Sequence, residues 1–190
     1  MGTDKRKLEV RKGLKGCIDR LFGPGAGDLE IALPILVALF VSIMLLRFAG
    51  LRHFHWVFVQ YVVAFLITFD TVGGAITLAM PAAKKWYHRP ERKPVSYFLF
   101  NCAHIHPFII AWVFVPEMQW IYPVTIYAYL VLTTLFLLKT PPALKGGLAV
   151  LFIVFGCFIN IYMVLPPLGF VWFVPVFYLK LLYGNLVSGK

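Results

Sequence analysis

WVFVQYVVAFLITFDTVGGAITLAM, residues 56–80, is apolar throughout except for Gln60, Thr68, Asp70, Thr71 and Thr77. A run of this length exceeds the roughly 20 apolar residues that cross about 30 Å of hydrocarbon as an α-helix. It therefore reads as a membrane span, and Asp70 lies inside it. A carboxylate at that depth costs at least about 2.5–3.5 kcal/mol on insertion scales, so it is expected to face a partner or a cavity.

The rest of the chain has the same solvent. Hydrophobic residues make up 61% of its 190 positions and charged residues 14%, against roughly 45–50% and about 25% in soluble domains. Apolar runs and proline breaks divide the chain into six spans: 31–48, 56–80, 95–115, 120–138, 144–165 and 168–183. Pro81, Pro90, Pro94, Pro116, Pro141, Pro142, Pro166 and Pro167 fall in the connections, where a residue without an N–H ends helices. The fold class is an all-α, polytopic bundle of about six transmembrane helices. Pro175 is expected to kink the last of them, and 164–175 reads either as a tight turn or as a re-entrant segment.

Residues 1–28 form a separate basic segment ahead of the single transmembrane domain, 29–190. Val10, Leu14, Ile18 and Leu21 recur near helical spacing among Lys5, Arg6, Lys7, Arg11, Lys12, Lys15 and Arg20. That pattern predicts an amphipathic helix lying on the membrane surface, closed by Gly23-Pro24-Gly25-Ala26-Gly27.

Charge tests the topology independently of hydropathy. The N-terminal segment, the second-to-third loop (Lys84, Lys85, Arg89, Arg92, Lys93), the fourth-to-fifth loop (Lys139, Lys145) and the C-terminal end (Lys180, Lys190) carry sixteen Lys and Arg. The opposite face carries two, Arg47 and Arg52. By the positive-inside rule this bias puts both termini in the cytoplasm of a plasma or inner membrane. It also accounts for the net charge of +10, so no nucleic-acid partner is called for. Cys17, Cys102 and Cys157 show no CxxC or metal spacing and read as apolar filler.

The polar residues inside the spans carry the functional expectation. Asp70 lies ten residues before Met80 and His104 nine after Val95, about 15 Å and about 13–14 Å from the same surface at 1.5 Å per residue. Antiparallel neighbours would set them level, as a buried acid–histidine pair. Tyr97, Asn101 and His104 share a helical face, and Gly73, Gly74 and Thr77 lie beside Asp70 where small residues allow close approach. The ligand-binding set is accordingly Asp70, His104, Asn101, Tyr97 and Thr77. His106, roughly 200° around a continuous helix from His104, is expected to face elsewhere.

Lys84, Lys85, Arg89, Arg92 and Lys93 form a basic cluster suited to anionic lipid headgroups, at about 1 kcal/mol per residue near the surface. Three functions fit: binding or moving a small ligand, with protons as a coupling ion; a membrane enzyme acting on a lipid; and a non-catalytic scaffold or subunit. The implied partners are membrane lipids and a small-molecule or lipid ligand, and homo-oligomers are compatible with the sequence. No cofactor or metal is expected. His53 and His55 lie at the rim, on the order of 10–15 Å along the membrane normal from His104, too far to share one iron.

Overall fold

The structure, a computed structural model, describes residues 9–115 and 120–188, and all regular elements among them are helical. The helices are α1 (Leu14–Phe22), α2 (Asp28–Leu51), α3 (Phe58–Ala79), α4 (Pro81–Tyr87), α5 (Pro94–Cys102), α6 (His106–Phe114), α7 (Ile121–Lys139), α8 (Pro142–Phe158) and α9 (Phe173–Tyr178). Two π-helical turns, Ile159–Met163 and Leu179–Gly184, extend α8 and α9. Five helical segments are long and apolar enough to cross a membrane: 28–51, 58–79, 94–114, 121–139 and 142–163. The protein is thus an α-helical membrane bundle.

Helices α2 and α3 form the outer hairpin. The buried residues of α2, Pro34, Ala38, Ser42 and Ala49, fall on one face, which packs on α3. Gly73 makes the crossing close, since a Cβ there would lie 3.2 Å from that of Ala38. Ser42 returns its hydroxyl to the Ala38 carbonyl at 2.7 Å, so its own polar group is satisfied within the helix.

The sixth apolar segment differs from its expected form. Instead of a full span it is a helical run from Phe173 to Gly184, 12 residues in α9 and its π turn. That rises only about 18 Å. Pro166, Pro167 and Gly169, whose φ is +90°, hold the preceding chain in a turn that bends against Trp56 and Phe54. The run is instead the central post of the bundle: Phe173, Val174, Phe177, Tyr178, Leu181 and Leu182 have no exposed surface. Pro175, Val176, Leu179 and Tyr183 form its one partly exposed face, and the rest of the run packs on its neighbours. Gly156 of α8 admits the Tyr178 ring, and the Tyr178 hydroxyl donates to the Ile126 carbonyl at 2.8 Å.

The third span is also altered. It breaks between α5 and α6 at 103–105. Pro107 lies in the first turn of α6; it has no N–H to give the Ala103 carbonyl, and its ring would clash there in a continuous helix. Tyr127 of α7 donates to the freed Cys102 carbonyl at 2.7 Å.

The basic segments gather at one end of the bundle. Tyr87 donates to the Arg20 carbonyl at 3.1 Å, and Lys84 lies over the Tyr183 ring. Glu30 accepts from the Gly27 and Ala82 N–H groups at 3.1 and 3.0 Å, capping the starts of α2 and α4 together. Helix α1 leaves Leu14, Ile18 and Leu21 exposed while Asp19 is buried. Asp19 is held by Arg11, whose Nε donates to it at 2.9 Å and whose backbone N–H does so at the same distance. Cys17 is exposed rather than filler. Lys5, Arg6, Lys7, Pro116 and Lys190 lie outside the described residues.

Candidate functional site

Asp70 projects from the middle of α3 into a cavity of about 460 Å³. Pro34 and Ile35 of α2, Phe69, Gly73, Gly74, Thr77 and Leu78 of α3, and Phe100 of α5 form its walls. Leu21 and Phe22 of α1, with Tyr87 of α4, line the end toward the basic face. His104 and Lys180 complete the lining.

The carboxylate has two partners, and the pairing differs from the expected one. Lys180 donates from Nζ to Asp70 Oδ2 at 2.6 Å and to the Asp70 backbone carbonyl at 3.2 Å. His106 places Nε2 3.1 Å from the same Oδ2. His104 makes no hydrogen bond to Asp70: its Nδ1 lies 2.7 Å from the Phe100 carbonyl. The break before Pro107 explains the exchange. On an unbroken helix the two imidazoles would diverge, but the irregular turn stacks them with centroids 5.4 Å apart.

Lys180, counted from sequence as a cytoplasmic charge, is instead inside the bundle with its side chain 4% exposed. Its stem lies along α3 because residue 74 is glycine; a Cβ there would overlap Lys180 Cε. An ammonium buried this deeply is tolerated only when paired, and Asp70 is the acid that pairs it. Asp70 itself remains 49% exposed, toward the cavity. Both partners approach Oδ2, and among the described residues no donor meets Oδ1.

Proton positions follow from these contacts. A carbonyl only accepts, so the neutral His104 ring carries its hydrogen on Nδ1 and leaves Nε2 as an acceptor. The His106 Nε2–H donates to the carboxylate, and its buried Nδ1 has no partner. The site thus joins one ion pair to two stacked imidazoles.

Of the other expected ligand residues, Thr77 lines the cavity. Asn101 and Tyr97 face elsewhere. Asn101 is fully buried and donates to Thr134 Oγ1 at 2.8 Å, while Asn185 donates to its Oδ1 at 2.9 Å. This network ties α5, α7 and the C-terminal end together. Tyr97 lies beside His88, its hydroxyl 3.4 Å from Nδ1, next to a smaller cavity of about 260 Å³.

The basic cluster is partly folded onto aromatic rings. Arg89 covers Trp86 at 3.8 Å, Arg92 covers Tyr97 at 4.1 Å, and Lys84 covers Tyr183 at 5.5 Å from ring centres. Lys85 is exposed, and Lys93 precedes the first residue of α5. Burial is the main reason His88 protonates below its ordinary range, and the charges of Arg92, Lys84 and Lys145 add to it against the backbone of Gly184. No three His, Cys, Asp or Glu side chains converge as a metal site among the described residues.

Sequence reasoning missed Lys180 and His106 as partners of Asp70. One signal for Lys180 was present: it is the single charge in the run Phe170–Tyr183, and an acid within a span requires a cation. Comparisons of the chain with protein-family models, with curated proteins and with solved structures found no match in any of the three.

Proposed function

We propose that the protein binds a small, largely apolar ligand in the cavity between α2, α3 and α5, with the polar end of that ligand at Asp70. The observation that carries this reading is the asymmetry of the carboxylate. Oδ2 takes both protein partners, and among the described residues no donor meets Oδ1 of this half-exposed carboxylate, which lines the cavity. A pair needed only for packing would gain from closing that space, since an unfilled cavity forfeits dispersion contacts. Binding is the core of the proposal. Transport of the ligand would use the same site. With Lys180 inside the bundle the charge bias is fifteen to two, and together with the basic segments gathered at one end it supports cytoplasmic termini.

The test is thermal unfolding of the purified protein, wild type and Asp70→Asn, against lipids, sterols, isoprenoids and vitamins at two pH values. A compound that stabilises wild type in a concentration-dependent way, and not Asp70→Asn, supports the site. No stabilisation by any compound, with a lower midpoint for the variant, would reduce the Asp70 cluster to a helix-packing device.

A further inference from the structure

We infer that the smaller cavity, of about 260 Å³ at the basic end of the bundle, is a binding site for a phosphate group. Four of its seven lining residues carry polar side chains: His88, Tyr97, Lys145 and Ser188. None of the seven is acidic. The four come from the loop before α5, from α5 itself, from the start of α8 and from the C-terminal end, so the site exists only in the folded bundle. It shares no lining residue with the cavity at Asp70 and stands apart from the reading of that cavity.

Charge selects an anion. Arg92, Lys84 and Lys145 all act on His88, and each makes it harder to protonate. Arg92 is fixed over the Tyr97 ring and Lys84 over that of Tyr183. Among the described residues no carboxylate pairs with any of these three cations, and Glu91, next to Arg92 in the chain, is exposed. Cations gathered without a counter-charge repel one another, and a cleft of one sign concentrates the opposite ion. The positive-inside rule asks only for basic residues on this face, as exposed Lys85 and Lys93 provide. It does not call for a shared cavity.

Position and donors narrow the anion. The cavity lies at the ends of three spans: Pro94 opens 94–114, Leu138 is next to last in 121–139, and Lys145 is in the first turn of 142–163. Span ends are the level of the lipid headgroups. A phosphomonoester brings a charge of about −1.5 to −2 and three acceptor oxygens, where a carboxylate brings one charge. An ammonium and two hydroxyls are the matching donors. The Tyr97 hydroxyl has only a long contact, 3.4 Å, to His88 Nδ1, and an ionised oxygen is the stronger acceptor for it. A lipid headgroup and a free phosphate ion both present this chemistry.

The experiment uses the full chain in a neutral detergent and reads the unfolding midpoint at fixed ionic strength. The probes are inorganic phosphate, acetate, dihexanoyl phosphatidic acid and dihexanoyl phosphatidylcholine. Inorganic phosphate or phosphatidic acid should stabilise the protein in a concentration-dependent way, and acetate and phosphatidylcholine should not. Tighter binding of phosphatidic acid marks a lipid headgroup, and binding of inorganic phosphate at least as tight marks the free ion. Lys145→Gln should weaken the response at least about ten-fold, the loss of one hydrogen bond to a charged group. Ser188→Glu, which sets an anion at the cavity from an exposed position, should abolish it without unfolding the chain. Lys85→Gln, which removes the same charge outside the cavity, should leave it intact. A loss as large in Lys85→Gln as in Lys145→Gln would reduce the effect to diffuse surface charge and overturn the site. Stabilisation that survives both Lys145→Gln and Ser188→Glu is the general salt effect of phosphate and also overturns it. Acetate equalling phosphate overturns the choice of anion, and no response to either phosphate probe overturns the whole proposal.

Discussion

Lys180 and Asp70 lie 110 residues apart in the chain, and their side chains meet at 2.6 Å inside the helical bundle. The contact joins the central helix to the outer hairpin and neutralises the one acid in α3. Lys180→Met should therefore destabilise the protein by about 3 kcal/mol, the low end for breaking a buried pair, because Asp70 is partly open to the cavity. Asp70→Asn combined with Lys180→Met should recover much of that loss. A double-mutant cycle on unfolding free energies checks the coupling.

Gly74 is the backbone side of the same contact. Gly74→Ala should force Lys180 away from α3 and cost about 1–3 kcal/mol, as overpacking does. Gly73→Ala, whose new methyl would meet Ala38 at 3.2 Å, should be milder. The effect of Gly74→Ala should largely vanish in the Lys180→Ala background, which removes the stem that the new methyl would meet and which a comparison of unfolding midpoints would reveal.

The Asn101–Thr134–Asn185 network predicts a modest structural coupling. Polar pairs between membrane helices average about 0.6 kcal/mol and reach about 1.7. The coupling of Asn101→Leu with Thr134→Val should fall in that range. Neither change should alter ligand-induced stabilisation, because neither residue lines the cavity. A large loss of ligand response in Asn101→Leu would contradict this placement.

His88 sets a pH dependence. Burial lowers its protonation below the usual histidine range, so the folded state disfavours the proton relative to the unfolded chain. The stability His88 contributes is present above the unfolded value of about 6.5 and is lost as pH falls through the lower folded value. The unfolding midpoint should be flat from pH 7 to 8 and fall toward pH 5. His88→Phe should flatten that decline, and an unchanged profile would refute the assignment.

Gly23 holds α1 against the cavity mouth. Its φ is +91°, and a Cβ there would overlap the Ala82 carbonyl. Gly23→Ala should loosen α1 from α4, speed proteolysis within 23–27 and raise hydrogen exchange at Leu21 and Phe22. Spans 58–79 and 121–139 should keep their protection, which separates a local release from global unfolding.

Class, span positions and the placement of an acid within a span were legible in the sequence, because hydropathy and proline act over short stretches of chain. The helical segments 28–51, 58–79, 121–139 and 142–163 lie within a few residues of the expected runs. Contacts of Asp70 were not legible. Equal depth on adjacent helices made His104 the natural partner, but a Pro107 break and a buried central helix put His106 and Lys180 there instead. The charge count treated Lys180 as a cytoplasmic charge, since it lies near the end of the last apolar run. Sequence periodicity determines which residues enter the membrane. Which of them meet was decided by helix packing, through the burial of a 12-residue helical run and the close approach at Gly74, neither of which has a local energetic signature, and through a kink whose local cause, Pro107, does not say which side chains it brings together.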